Sequence, residues 1–293
     1  MNCSKESQIA RIVKIALKED IGKGDVTTRL TVPAGKKISA VIVAEENGVL
    51  CGIEVAGLAF RLTGGNIRFV SAARDGKRIR RGQVLAKING PADKILTAER
   101  VALNFLGLLS GISTKTRCFV DRVRPYKAKI LDTRKTLPGL RILEKYAVRT
   151  GGGSNHRFRL DEMVLIKENH IQVMDTSLGV SGLKGLLRKV NKQIKGRKEI
   201  EAEVINLSQF KEVIEAGVDI IMLDNMNIAE IRKAVKIRDN LFSRGRNLGP
   251  KLEASGSISL DNVKKYAACG VDFISVGELT KDVESLDVSL DIV

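Results

Sequence analysis

The chain has 293 residues, 43% of them hydrophobic and 4% aromatic, with 50 lysines and arginines against 34 acids and a net charge of +16. So much Leu, Ile and Val excludes an intrinsically disordered chain, and four scattered cysteines with no CxxC pair exclude a disulfide scaffold and leave structural zinc without support. The charge fits an anionic partner, nucleic acid or a phosphorylated or polycarboxylate metabolite, although a solvated basic surface explains many of the lysines whatever the function. Few aromatics, no recognisable nucleic-acid motif and basic residues spread along the chain weigh against nucleic acid.

Taken in chain order, residues 1–20 read as a helix, with Ile9, Ile12, Val13, Ala16 and Leu17 on one face. Charges run through this segment, which lacks the apolar centre of a signal peptide. A Gly-rich turn at 21–25 closes it. Short β-patterned runs follow at 37–44, 49–53 and 66–71, then Gly-punctuated turns between short strands over 75–90. Thr97 reads as the N-cap of a long apolar helix from about Arg100, with Glu99 in its first turn. The longest uncharged apolar run, 101–114, falls short of the about 18 residues a membrane span needs and includes Gly and Ser. A cytoplasmic protein with no membrane partner is the expectation.

From Lys127 the texture changes to short apolar strands alternating with helices. The strands are expected at 128–132, 163–167, 199–204, 219–224, 251–255 and 272–277, and helices at 206–216, 227–238 and 259–269. Repeated β-then-α units imply parallel strands. The strands end on polar residues: Asp132-Thr133-Arg134-Lys135, Lys167-Glu168-Asn169-His170, Glu203, Asp224-Asn225, Ser255-Gly256 and Gly277. In an α/β barrel the active site forms at the C-terminal ends of the strands. Helix capping accounts for Asp224 and Ser255 as easily, but it gives no reason for long charged side chains at Lys135, Lys167 and Glu203.

Three of these features suit anion chemistry. Arg134-Lys135 offers a bidentate fork beside a compact point charge. Gly151-Gly152-Gly153 would let the backbone approach a ligand and present N–H groups to it, and His156-Arg157 just beyond can both hydrogen-bond a carboxylate. Glu203 and Asp224 are hard oxygen donors suited to Mg²⁺ shared with a phosphorylated substrate, to salt bridges with Lys135 and Lys167, or to acid–base work. The two histidines, His156 and His170, have no metal-pair spacing, and His170 is as well explained structurally.

The strings LTAERVALNFLGLLSGIST, ILDTRKTLPGLRILEKYAVRTGGGSNHRF, DEMVLIKENHI, the Glu201-Ala202-Glu203-Val204 strand, IIMLDNM, LEASGSI and FISVGELT occur in an order that resembles the quinolinate phosphoribosyltransferase family, as does EDIGKGDVTT near the start. The resemblance covers nearly the whole chain. It implies an α/β protein with an N-terminal α/β sandwich domain, residues 1–112, and a C-terminal incomplete α/β (TIM-like) barrel, residues 113–279, with the tail 280–293 packing back on the first domain. It implies transfer of phosphoribosyl from phosphoribosyl pyrophosphate to quinolinate with decarboxylation, a step of NAD biosynthesis, with Mg²⁺ as cofactor. The expected assembly is a homodimer with shared sites, with further association to a hexamer left open.

Carried over by position, Arg100 matches an arginine that reaches the partner's site and contacts quinolinate, and Arg134, His156 and Arg157 match residues gripping the pyridine carboxylates. Lys135 and Lys167 match lysines near the phosphates and the reacting centre. Glu203 and Asp224 match acids at the ribose hydroxyls and Mg²⁺. Ser255-Gly256-Ser257 and Ser275-Val276-Gly277 match turns that cradle the 5′-phosphate. Ser257 departs from the family, where a second glycine is common, and the basic stretch around Ser243-Arg244-Gly245-Arg246-Asn247 resembles a local insertion. The competing expectations are a molybdenum-operon paralog of the same fold and, from another class, a basic nucleic-acid-binding protein.

Overall fold

The computed structural model describes residues 3–173, 182–194, 196, 198–243 and 249–293. Arg244, Gly245, Arg246 and Asn247 of the basic stretch lie outside the described residues. In chain order the elements are α1 (Cys3–Ile21), α2 (Val26–Thr31), β1 (Lys37–Ala44), β2 (Gly48–Val49), α3 (Ile53–Leu62), β3 (Arg68–Ser71), β4 (Arg78–Ile79) and β5 (Val84–Pro91). Next come α4 (Ala92–Val123), β6 (Lys129–Leu131), α5 (Arg141–Thr150), β7 (Val164–Ile166), α6 (Glu168–Gln172), α7 (Gly182–Gln193), β8 (Ile200–Val204) and α8 (Leu207–Val213). The chain ends with β9 (Ile220–Asp224), α9 (Ile228–Phe242), β10 (Lys251–Ser255), α10 (Val263–Ala267), β11 (Phe273–Ser275), α11 (Glu278–Lys281) and β12 (Val288–Ile292). Two units result: Met1–Arg117 with Lys135–Gly153 and Leu279–Val293, and Cys118–Arg134 with Ser154–Glu278.

In the first unit, β1 alternates so that Ala40, Ile42 and Ala44 face the core, and an antiparallel sheet forms in the order β12-β1-β5-β3. The helix α4 buries Ile95, Ala98, Ala102, Leu106, Leu109 and Ile112, a helical stripe. By length and composition α4 could cross a membrane, but 67% of its apolar window is buried inside the protein, as befits a core helix. A Cβ on Gly111 would clash with the Glu284 carbonyl oxygen, so only glycine lets the segment before β12 approach α4.

Two local expectations change here. The run 49–53 is not one strand: β2 stops at Val49 and α3 starts at Ile53, because the Asp75 carboxylate accepts the Gly52 and Ile53 N–H groups at 2.9 and 3.1 Å and caps the helix. The helix α4 starts at Ala92, directly after β5, so Thr97 lies inside it and donates its hydroxyl to Asp25 at 3.3 Å instead of capping.

In the second unit six parallel strands run in the order β6-β11-β10-β9-β8-β7. The edge strands β6 and β7 are not hydrogen-bonded to each other, which leaves the barrel incomplete as the family resemblance implies. Register decides what each face carries. Glu203 stands level with Met222, Met222 with Glu253, Glu253 with Phe273, and Asp224 with Ser255. Because side chains alternate, Glu201, Glu203, Asp224, Glu253, Ser255 and Ser275 share one face. The opposite face carries Ala202, Val204, Ile221, Leu223, Leu252, Ala254 and Ile274, all buried, with α8 packing on β8 and α10 on β11.

Candidate active site

One face of the second unit's sheet therefore bears acids and hydroxyls, and the strand ends add the bases. Lys167, just past β7, pairs its Nζ with Glu203 Oε2; the lysine side chain is 44% exposed and the glutamate 11%. The Lys167 N–H is accepted by Nδ1 of His170, so that histidine organises the start of α6. Asp224 ends β9 and accepts from Asn225 Nδ2 at 2.9 Å, while the Asn225 N–H donates to the Ser255 carbonyl at 2.9 Å. Asn225 and Ser257 have φ of +51° and +49°, and Gly256 has +93°, with the Asn225 side chain filling the place of a Gly256 Cβ. Both turns thus hold left-handed backbone at the strand ends, the kind of strain that gathers at binding sites.

The Ser257 conformation gives a physical reason for glycine at this place. A non-glycine residue in the left-handed region costs about 1–2 kcal/mol, and glycine's own entropic cost is about 0.5–1 kcal/mol. Ser257→Gly should therefore stabilise the protein by up to about 1 kcal/mol, raising the melting temperature by about 2 °C. A lower melting temperature in a thermal scan would refute the strain argument.

Past β6, the buried Asp132 carboxylate accepts the His156 N–H at 2.9 Å, and Ser154 bridges Leu131. His156 Nε2 lies 3.0 Å from Glu201 Oε2 and 3.9 Å from Glu253 Oε1, and its Nδ1 accepts the Arg157 N–H at 2.8 Å. Arg157 donates from Nη1 to the Met163 carbonyl at 3.0 Å. Its guanidinium pKa is lowered, first by burial and then by the neighbouring Arg134 charge. Two adjacent guanidinium groups, one partly desolvated, form a clamp suited to a carboxylate dianion. Arg134, Arg157, Lys167, Glu203 and Asp224 all belong to the second unit, whereas Arg100, exposed on α4, and Lys135, whose carbonyl accepts from Thr280 at 2.7 Å, belong to the first.

The structure revises two features of the motif reading. The glycine run does not present its N–H groups to a ligand. Gly151, Gly152 and Gly153 donate to Ala147, Arg149 and Val148 at the end of α5, and Cβ atoms on Gly151 and Gly153 would clash with Thr116 of α4. In the turn Ser275-Val276-Gly277, Ser275 and Val276 are buried and the Val276 N–H donates to Leu131, leaving Gly277 as the half-exposed member.

Sequence reading assigns no role to Glu201 and Glu253. Both are fully buried, and burial pushes each carboxyl up to about 8, with Lys167 and Arg157 opposing the rise at Glu201 and the Glu201 charge adding to it at Glu253. Their signal is two-residue spacing: Glu201 precedes Glu203, and Glu253 precedes Ser255, on the same strand faces. A cavity of about 700 Å³ reaches Glu253, His156 and Arg157 from residues at the N-terminal ends of the strands, among them Lys129, Asp219 and Lys251.

Between about pH 4.5 and pH 8 the folded state retains protons on these carboxyls that unfolded glutamates, titrating near 4.3, have lost. Stability should therefore fall as pH rises through that window and level off above it. Glu253→Gln removes one such group, so its unfolding free energy should decline less between pH 5 and pH 8 than that of the wild type. Parallel denaturant melts at the two pH values check this, and equal declines would count against it.

Comparison with known proteins follows the same geometry. Residues 112–291 match the family model for the quinolinate phosphoribosyl transferase C-terminal domain, and residues 25–110 that for its N-terminal domain. The chain is 43% identical over 285 residues to a probable nicotinate-nucleotide pyrophosphorylase [carboxylating] of Methanocaldococcus jannaschii, covering 97% of this chain and 96% of that protein. It is 41% identical to the nicotinate-nucleotide pyrophosphorylase [carboxylating] of Mycobacterium leprae, covering 96% and 95%. A solved nicotinate-nucleotide pyrophosphorylase from Francisella tularensis superposes with a TM-score of 0.87 at 37% identity, covering 98% of this chain and 96% of that one. By sequence over nearly its whole length and by fold, the chain belongs to the quinolinate phosphoribosyltransferase family.

Proposed function

We propose that this chain transfers phosphoribosyl from phosphoribosyl pyrophosphate to quinolinate with loss of CO₂, yielding nicotinate mononucleotide and pyrophosphate. The observation that carries the reading is the gathering of Arg134, Arg157 and Lys167 around a sheet face bearing Glu203 and Asp224, in a member of this family. Quinolinate is a dianion and phosphoribosyl pyrophosphate carries several negative charges. Cations fixed at the strand ends bring the two together without reorganising water during the reaction.

As the bond from the anomeric carbon to pyrophosphate breaks, positive charge builds on the sugar. Glu203 and Asp224, on adjacent strands, stabilise it and hold the ribose hydroxyls. The pyridine nitrogen donates its lone pair to the anomeric carbon, and the ring becomes cationic. The bond from C2 to its carboxylate then breaks, leaving its electron pair on C2 beside the cationic nitrogen, and C2 takes up one proton as CO₂ departs. Arg134 and Arg157 hold the carboxylates during this sequence, while Lys135 and Lys167 balance charge on the phosphates and at the reacting centre. The turn at Ser255-Gly256-Ser257, with Gly277 of the turn after β11, receives the 5′-phosphate.

Glu203 and Asp224 offer two hard, incompletely buried carboxylates, a donor set that fits Mg²⁺ held by one or two carboxylates and substrate oxygens. When bound, the ion would neutralise charge on the departing pyrophosphate. We also infer a cytoplasmic homodimer in which exposed Arg100 serves the neighbouring subunit's site; the family resemblance and the exposure of Arg100 support this.

The test is release of labelled CO₂ from carboxyl-labelled quinolinate. Release that requires both phosphoribosyl pyrophosphate and Mg²⁺ is the expected result. No release from folded protein would overturn the assignment and favour another substrate on the same fold.

A further inference from the structure

His156 has two ring nitrogens, and both have partners inside the protein. Nδ1 accepts the Arg157 main-chain N–H at 2.8 Å, so it bears no proton of its own. A neutral imidazole then carries its proton on Nε2, the nitrogen 3.0 Å from Glu201 Oε2. The ring is held at both ends: its side chain is 7% exposed, and the accepting carboxyl is fully buried on β8. The His156 main chain is fixed as well, through its own N–H on Asp132.

We propose that Glu201 is a positioning residue for the substrate clamp: by accepting the Nε2 proton it fixes the tautomer and orientation of His156, whose Nδ1 in turn holds the main chain of Arg157 and aims that guanidinium. His156 therefore serves the site through Arg157 and does not itself grip a pyridine carboxylate, which revises the role that the resemblance implies for it. This inference rests on the proposed function.

Glu201, Glu253 and His156 also place a nitrogen and two carboxylate oxygens within 4.8 Å of one another, a spacing that could hold a metal ion. The hydrogen bond at Nδ1 argues against that. A metal ion on Nε2 would require the proton there to leave while Nδ1 still accepts from Arg157, which makes the ring an imidazolate. A hydrogen-bonded lock needs no such loss. It also predicts which substitution is tolerated, since the amide oxygen of glutamine can accept from Nε2 as a carboxyl oxygen does.

The chain has two histidines, so the imidazole ¹⁵N spectrum of labelled protein resolves His156 once a His170→Gln variant assigns it. His156 should show the Nε2–H tautomer in the free enzyme and keep it at quinolinate concentrations that calorimetry shows to be saturating. Glu201→Gln should keep the tautomer and a quinolinate KM within about threefold of wild type. Glu201→Leu should shift the His156 Nε2 resonance, as its hydrogen bond is lost, and raise that KM at least tenfold, with the phosphoribosyl pyrophosphate KM within about twofold.

An Nδ1–H tautomer or conversion to the imidazolium on adding quinolinate would each overturn the proposal. So would equal effects of the Gln and Leu variants on quinolinate KM. If Glu201→Leu does not fold, the wild-type and Gln spectra still decide the question. If the wild type neither binds quinolinate nor releases CO₂, the functional reading has failed, and the ligand-free tautomer alone decides the lock.

Discussion

Lys167→Met should lower the turnover of quinolinate by about 10²–10³-fold, the usual effect of removing one fixed charge that stabilises a transition state. The side chain sits just past β7 and pairs with Glu203 on β8, so it links two strand ends on the charged face of the sheet. Methionine keeps most of the apolar stem and removes the ammonium. The pair is 44% exposed on the lysine side, and exposed ion pairs contribute about 0–1 kcal/mol to stability, so the melting temperature should hardly move. The loss should appear in kcat in single-turnover experiments, because the proposed function puts this charge where anionic groups react. A drop of less than tenfold would place Lys167 outside the chemistry. A large fall in melting temperature would make it a structural residue.

The strands of the second unit are legible in the sequence for a physical reason. Parallel strands covered by helices on one face read as short apolar runs, and β10 spans the residues 251–255 that its pattern marks out. The charged residues at their ends stand out because helix capping cannot explain them. What stays hidden depends on distant partners. The apolar run through Leu50 and Cys51 looks like a strand until Asp75, far along the chain, caps α3 and bends the backbone at Gly52. The three glycines look like an anion loop until α4 is seen to occupy the space their missing side chains leave. Glu201 is hidden for another reason: it shares a strand face with Glu203, and nothing local tells the fully buried acid from the one nearer the strand end. Its partner His156 lies 45 positions away.

Arg157→Gln should raise the quinolinate KM by about 10–150-fold and leave the phosphoribosyl pyrophosphate KM near the wild-type value. A hydrogen bond to a charged group contributes about 1.5–3 kcal/mol net, and the guanidinium offers a fork that an amide cannot replace. The site is built to make this interaction count. One Nη of Arg157 is anchored on the Met163 carbonyl, the main chain is held by His156, and Arg134 and burial together disfavour the charge until an anion arrives. A bound dicarboxylate relieves that repulsion, so the clamp gains more from substrate than two isolated arginines would. Arg157→Lys should recover only part of the loss, because a point charge lacks the planar fork and cannot hold both the carbonyl and the ligand in fixed geometry. Steady-state kinetics with each substrate varied in turn distinguish the outcomes. Equal losses toward both substrates would move Arg157 from the pyridine clamp to the general electrostatics of the site, and full recovery by lysine would show that its charge alone matters.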